Sequence, residues 1–171
     1  MTERLYWTSW FLAVLFTGIV AGFMLGHALI LAQFLDWMLA SGTPALGRAY
    51  PAFRGSAGRS GLAAYYAVAG LQLVSTTAFL VVSLMTRRHR GAALVAGVAG
   101  ALWVAAHYVS GFGALEADVL QSTREMAPGV VVRFVRWNVP IHFVHAVTLA
   151  VALSALLSVP LTGRKDSPAA R

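Results

Sequence analysis

Four almost unbroken apolar runs constrain this chain more than anything else in it. They lie near Trp10–Leu31, Leu62–Met85, Gly91–Gly111 and Val139–Pro160. Each has about the 20 residues that a helix needs to cross roughly 30 Å of hydrocarbon. A backbone in that medium has no water to bond to. Each run must therefore pair its own N–H and C=O groups, which a helix does. The expected fold class is all-α: an integral membrane bundle of four transmembrane helices, forming a single domain over 1–163. The first run has only Arg4 as a basic flank and is too long for a signal-peptide core, so it is read as a retained helix. It can extend to Ala40, because Gln33-Phe34-Leu35-Asp36-Trp37 interrupts the apolarity without a breaker residue; Gly42 and Pro44 then end it.

Charge supports the same class. Only 11% of the residues are charged, where a soluble domain carries about a quarter. The net charge of +7 does not call for nucleic acid, because most arginines sit at the ends of the apolar runs, beside lipid headgroups. The tight turn Arg87-Arg88-His89-Arg90 and the basic tail with Arg164, Lys165 and Arg171 favour cytoplasmic N- and C-termini in the cell membrane. The opposing loops hold Arg48, Arg54, Arg59, Arg124, Arg133 and Arg136. The stretch from Ser41 to Gly61 reads as irregular. Leu115–Met126 reads as a short interfacial helix broken by Pro128-Gly129, and residues 164–171 read as a disordered cytoplasmic tail. Without cysteine there is no disulfide, thiolate ligand or c-type haem attachment.

Small residues recur at helical spacing. Gly18, Gly22 and Gly26 form one stripe. Ala93, Ala96, Gly100 and His107 form another, and Ala146, Ala150 and Ser154 a third. Such stripes let helix backbones approach in lipid. Gln72, Ser75, Thr76 and Thr77 lie near the middle of the second run and read as interhelical hydrogen-bonding groups.

Histidine placement is the main functional signal. Taking each run's midpoint as the membrane centre, His27 and His107 lie about 9 Å toward the outside, and His142 and His145 roughly 12 and 8 Å. Four imidazoles from three helices thus share one layer, whichever way the bundle is inserted. His142 and His145, spaced by three, point to one helical face behind Trp137 and Pro140, which read as an interfacial anchor and a first helical turn. Ionisable residues inside a membrane are functional candidates. Neutral imidazoles without sulfur suit a transition metal (Cu, Fe or Zn), and two histidines from different helices suit haem b. His107, His142 and His145 read as the core of such a site and His27 as its more replaceable member. Asp36 and Asn138 are candidate partners fixing a histidine tautomer. Glu116 and Asp118 are loop carboxylates able to fold over the layer. His89, at the opposite face, reads as solvated. Soluble catalytic signatures such as a phosphate-binding loop or a nucleophile elbow are absent.

Two stretches resemble a small four-helix membrane family that includes the anthrone oxygenases. Thr17-Gly18-Ile19-Val20-Ala21-Gly22 is similar to its glycine-bearing first helix. Arg136-Trp137-Asn138, followed by His142-Phe143-Val144-His145, is similar to the pattern that opens its last helix, with His145 where that pattern has Arg. The family's Asn-x-Pro-x-Asn element after the third helix is replaced by His107-Tyr108 and Glu116-Ala117-Asp118. The resemblance implies oxygen-linked redox chemistry on an apolar molecule. The expected function is an oxidoreductase or oxygenase acting on an apolar, lipid-soluble small molecule at a histidine-held metal. The competing expectation is a non-enzymatic subunit that binds haem or pigment within a larger membrane complex or homo-oligomer.

Overall fold

The structure is a computed structural model describing residues 2–41, 49, 52–53, 55–56, 58–121 and 127–162. It is an all-α bundle. Helix α1 (Thr2–Gly26) runs through a π-helical turn (His27–Leu31) into α2 (Ala32–Ala40). Helices α3 (Arg59–Thr86), α4 (Arg90–Val109), α5 (Phe112–Gln121) and α6 (Pro128–Thr162) follow. Four helical rods are long and apolar enough to cross a membrane: the α1–α2 rod, α3, α4 and α6. Around the bundle, α1 packs on α3 and α6, and α4 packs on the same two helices. The large exposed apolar side chains, such as Phe11, Ile30, Val74 and Val98, fit a lipid-facing surface.

The rods differ in length, and this shapes the outer end. Helix α4 has 20 residues, a span of about 30 Å. Helix α6 has 35 residues, about 52 Å, and the α1–α2 rod has 38, about 57 Å. Both long rods therefore outreach α4, and α5 folds over the end of α4 to pack on α6. The fourth helix begins well before the expected Val139. Val130, Phe134 and Ile141 recur at helical spacing and pack on Phe112, Leu115 and Val119 of α5. Pro128 takes the first helical position, where its missing N–H costs nothing. Pro140, expected in that role, lies inside the helix and cannot donate to the carbonyl of Arg136. Of the expected interfacial helix, Leu115–Gln121 falls in α5, and 122–126 lie outside the described residues. So do most of the 41–61 loop and the 164–171 tail.

The core stacks in three layers. The layer nearest the termini joins Tyr6, Phe79, Ala96 and Leu156. The middle one joins Val20, Met24, Ala69, Trp103 and Leu149. The outer one is the α5–α6 contact. Glycine and alanine on α4 permit its approach to α3. A Cβ on Gly100 would stand 2.8 Å from Gln72 Nε2, and one on Gly97 would stand 3.1 Å from a Leu80 methyl. The other two stripes face elsewhere than expected. A Cβ added to Gly18, Gly22 or Gly26 would meet no described atom within 4 Å, and Gly22 and Gly26 are exposed. On α6, Ala150 and Ser154 are exposed, and burial follows His142, Leu149, Ala152, Leu156 and Val159.

The turn between α3 and α4 is a built structure. Arg87 (φ 61°) and His89 (φ 46°) both adopt left-handed backbone, which costs about 1–3 kcal/mol per non-glycine residue. Fully buried Tyr6 meets His89 Nδ1 through its hydroxyl at 2.6 Å. Arg88 pairs with Glu3 and lies 4.7 Å over the Tyr6 ring. His89 is therefore tied into the bundle, against the expectation of a solvated side chain. Gly100→Ala should destabilise the protein by about 1–3 kcal/mol through overpacking. Gly22→Ala, with open space around it, should be neutral or raise stability by up to about 1 kcal/mol. Thermal unfolding of the monomer in detergent measures both, and a larger loss at Gly22 than at Gly100 would refute this packing scheme.

Candidate functional site

The π turn and the outer half of α6 position the histidines. In the π turn the Ala32 N–H bonds the His27 carbonyl, five residues back. This widens the helix and turns both His27 and Ala28 inward. No motif in the sequence announces this turn. Opposite it on α6, Asn138 is fully buried. Its side-chain amide donates to Asp36 Oδ1 at 2.8 Å and to the Ala32 carbonyl at 3.2 Å. Its backbone carbonyl is 2.7 Å from His142 Nδ1. A carbonyl can only accept, so Nδ1 of a neutral His142 carries the hydrogen and Nε2 keeps the lone pair. The contact to His142 is thus made by the backbone carbonyl of Asn138, not by the side chain that the sequence put forward. Asp36 orients Asn138.

The four imidazoles are neighbours. His27 stacks on His142, with ring centroids 3.9 Å apart and planes at 21°. His142 lies 5.5 Å from His145, and His145 lies 5.6 Å from His107. His27, expected as the peripheral member, makes the shortest of these ring contacts. His107 Nε2 is 3.7 Å from Glu116 Oε2 on α5. Gly113 permits this approach, because a Cβ there would come within 2.9 Å of the His107 ring. Asp118 does not join: it is exposed and faces a separate outer groove with Arg133 and Trp137.

Beside the imidazoles lies a cavity of about 610 Å³. It exists because α3 packs only with its lower part: the first buried residue after Arg59 is Ala69. Tyr65, Tyr66 and Ala69 of α3 form one wall, and Phe23 and His27 another. Trp103 and His107 of α4, Glu116 and His145 complete it. Phe53 and Gly58 border it as well; the Gly58 N–H bonds the Phe53 carbonyl at 2.7 Å, and a Cβ on Gly58 would strike the Phe53 ring at 2.9 Å. Trp103 is held by its indole N–H, which donates to Gln72 Oε1 at 3.1 Å. Gln72 is thus the interhelical link the sequence indicated. Ser75 and Thr76 bond back to the Gln72 carbonyl of their own helix.

His145 has the most demanding environment. It is 1% exposed, and neither ring nitrogen meets a hydrogen-bond partner among the described residues. Each such buried polar atom costs about 1–3 kcal/mol. It also lines the cavity.

The arrangement does not assemble the four-imidazole metal shell expected from the sequence. Imidazole lone pairs lie in the ring plane, so the nearly parallel His27 and His142 direct them alongside one another rather than at one ion about 2 Å away. Among the described residues no three His, Asp or Glu are grouped so as to hold a metal. The arrangement instead offers an apolar chamber with hydrogen-bonding imidazoles and a carboxylate on its wall. Comparison with known protein families, curated proteins and solved structures finds no match for this chain. The family resemblance therefore rests on the quoted stretches alone.

Replacing Asn138 by Ala should destabilise the bundle by about 1–3 kcal/mol, since it strips Asp36 of its amide partner. His145→Leu should be neutral or stabilising, because it removes polar atoms that have no partner among the described residues. Thermal unfolding of the ligand-free protein in detergent checks the pair; a His145→Leu loss as large as that of Asn138→Ala would show that His145 is a structural link.

Proposed function

We propose that the protein is a membrane oxidoreductase that takes an apolar, lipid-soluble molecule from the bilayer into the cavity between α1, α3 and α4. One observation carries this reading: a deeply buried imidazole without a hydrogen-bond partner among the described residues, His145, on the wall of a largely apolar and aromatic chamber. Such chambers with a few convergent polar groups are the usual form of small-molecule sites. His145 hydrogen-bonds the polar end of the molecule. His107, beside Glu116, exchanges a proton with it as general acid or base. Trp103, tied to Gln72, backs the ring or chain against the middle core layer. The redox assignment follows from the family resemblance. Both termini are assigned to the cytoplasmic side of the cell membrane, on the strength of Arg87, Arg88 and Arg90.

A non-enzymatic subunit of a larger complex is the second reading. The outward-facing stripe of Gly18, Gly22 and Gly26 favours it, because close packing in lipid uses such faces and no described helix of this chain covers it.

Purification in mild detergent, followed by mass spectrometry of extracted lipids and elemental analysis, tests the choice. The enzyme predicts a free monomer or small homo-oligomer carrying a defined apolar molecule, lost in His145→Leu. Stable co-purification with a large complex and an empty cavity would overturn it in favour of the subunit. A stoichiometric amount of Cu, Fe or Zn would restore the metal that the imidazole geometry argues against.

A further inference from the structure

We infer that the turn between α3 and α4 docks the phosphate headgroup of an anionic phospholipid, in the leaflet that meets the start of α1 and the end of α6. The surface lies at the other end of the bundle from the four imidazoles and is independent of the cavity.

Charge is the first observation. Within residues 2–10, 80–95 and 155–162, which form that end, the arginines are Arg4, Arg87, Arg88 and Arg90, and Glu3 is the one carboxylate. Glu3 is already engaged by Arg88 and by the Trp7 indole N–H at 2.8 Å. Arg4, Arg87 and Arg90 are exposed, and none forms an ion pair among the described residues. The sequence beyond residue 162 adds Arg164, Lys165 and Arg171 against Asp166, so it reinforces the positive balance.

The second observation is a fixed frame. Arg87 and His89 both stand in left-handed backbone. Between them Arg88 lies over the Tyr6 and Trp7 rings, 4.7 and 6.0 Å from their centroids, and His89 Nδ1 meets the Tyr6 hydroxyl at 2.6 Å. The turn is thereby fastened to α1, with Arg87 and Arg90 exposed on either side of the fastening. Arg90 donates to the Leu84 carbonyl at 3.2 Å, and a guanidinium has further N–H donors to offer. Guanidinium forks match phosphate oxygens two at a time, and a frame ordered before binding loses little freedom on binding. A Cβ added to Gly91, next to Arg90, would meet no described atom within 4 Å, so there is room beside the arginines.

The third observation selects a lipid over a free anion. Leu84 and Met85 of α3 and Leu94 and Val95 of α4 continue from the turn as exposed apolar side chains. A soluble phosphate leaves them uncovered, whereas a phospholipid meets the arginines with its headgroup and these side chains with its acyl chains.

Native mass spectrometry of the detergent-purified full chain tests this, with dioleoylphosphatidylglycerol and dioleoylphosphatidylcholine titrated separately. The two have the same acyl chains and differ in headgroup charge. The phosphatidylglycerol should bind more tightly. Each juxtamembrane arginine contributes about fivefold to the affinity for an anionic headgroup, so Arg87→Gln combined with Arg90→Gln should weaken phosphatidylglycerol by about tenfold or more and leave phosphatidylcholine unchanged. Arg133→Gln combined with Arg136→Gln removes the same charge from the opposite end and should change neither lipid. Thermal unfolding in detergent verifies that each variant is folded; the single Arg87→Gln and Arg90→Gln variants, each weaker by about fivefold, serve where the double variant is not. Equal binding of the two lipids, a preference that survives Arg87→Gln and Arg90→Gln, or an equal loss on changing Arg133 and Arg136 would overturn the inference. Excess inorganic phosphate should not displace phosphatidylglycerol; displacement would assign the arginines to a free anion and overturn the lipid.

Discussion

The buried amide of Asn138 is the interaction on which the outer half of the bundle depends. It spans the crossing of α2 and α6 by donating to a side chain and a backbone carbonyl of α2 at once. Asn138 is fully buried, so its donors have no water as an alternative partner, and the crossing is fixed in register as well as in distance. The same residue's carbonyl holds the His142 ring, on which His27 stacks. One position thus sets the helix crossing and the orientation of two imidazoles. The π turn is its counterpart on the other rod, since it brings His27 to the face that Asn138 holds close.

Packing explains where the cavity falls. Toward the termini, α3 contributes Phe79 and Val82 to a continuous layer, and the Tyr6–His89 and Glu3–Arg88 contacts close that end. At mid-height Gln72, Trp103 and Gly100 bring α3 and α4 together with almost no spare volume. Above Ala69, α3 has no buried side chain while α1, α4 and α6 still converge through their histidines. The chamber is the space that this divergence leaves. Its floor is the middle core layer, which contributes Met24, Ala69 and Trp103 to the lining.

The sequence made the fold legible because membrane helices must be long, apolar and self-satisfied. The four rods were therefore visible as runs. The continuation of the first rod to Ala40 was legible because no breaker interrupts it, whereas the extra turns of α6 were hidden because Arg133 and Arg136 interrupt the apolarity there. Depth arithmetic placed the four histidines in one layer, since rise per residue is a property of the helix alone; in the structure their rings meet pairwise, His27 on His142, His142 near His145 and His145 near His107, with no metal-holding group among the described residues. Ring orientation is not a property of the helix alone. Whether imidazoles converge on an ion or stack depends on χ angles and on the π turn, which no spacing encodes. The stripes show the same limit. Spacing of four assigns Gly18, Gly22 and Gly26 to one face but does not say which way that face points. The cavity left no trace in the sequence, since it arises from a divergence between helices.

Neither ring nitrogen of His145 has a partner among the described residues of this packed bundle. The bundle withstands a deficit of about 1–3 kcal/mol per atom only because its apolar layers and the Asn138 crossing supply more than that. A leucine would fill the place of His145 at no such cost, as it does at Leu149 one turn further along the same buried stripe. Its neighbours do not share its position: His142 has a carbonyl, His107 has a carboxylate, and Trp103 has an amide. His145 alone among these faces the chamber with its hydrogen-bonding capacity unspent. On the function proposed above, a molecule entering from the bilayer completes that capacity, and the local deficit in the protein becomes affinity for the ligand.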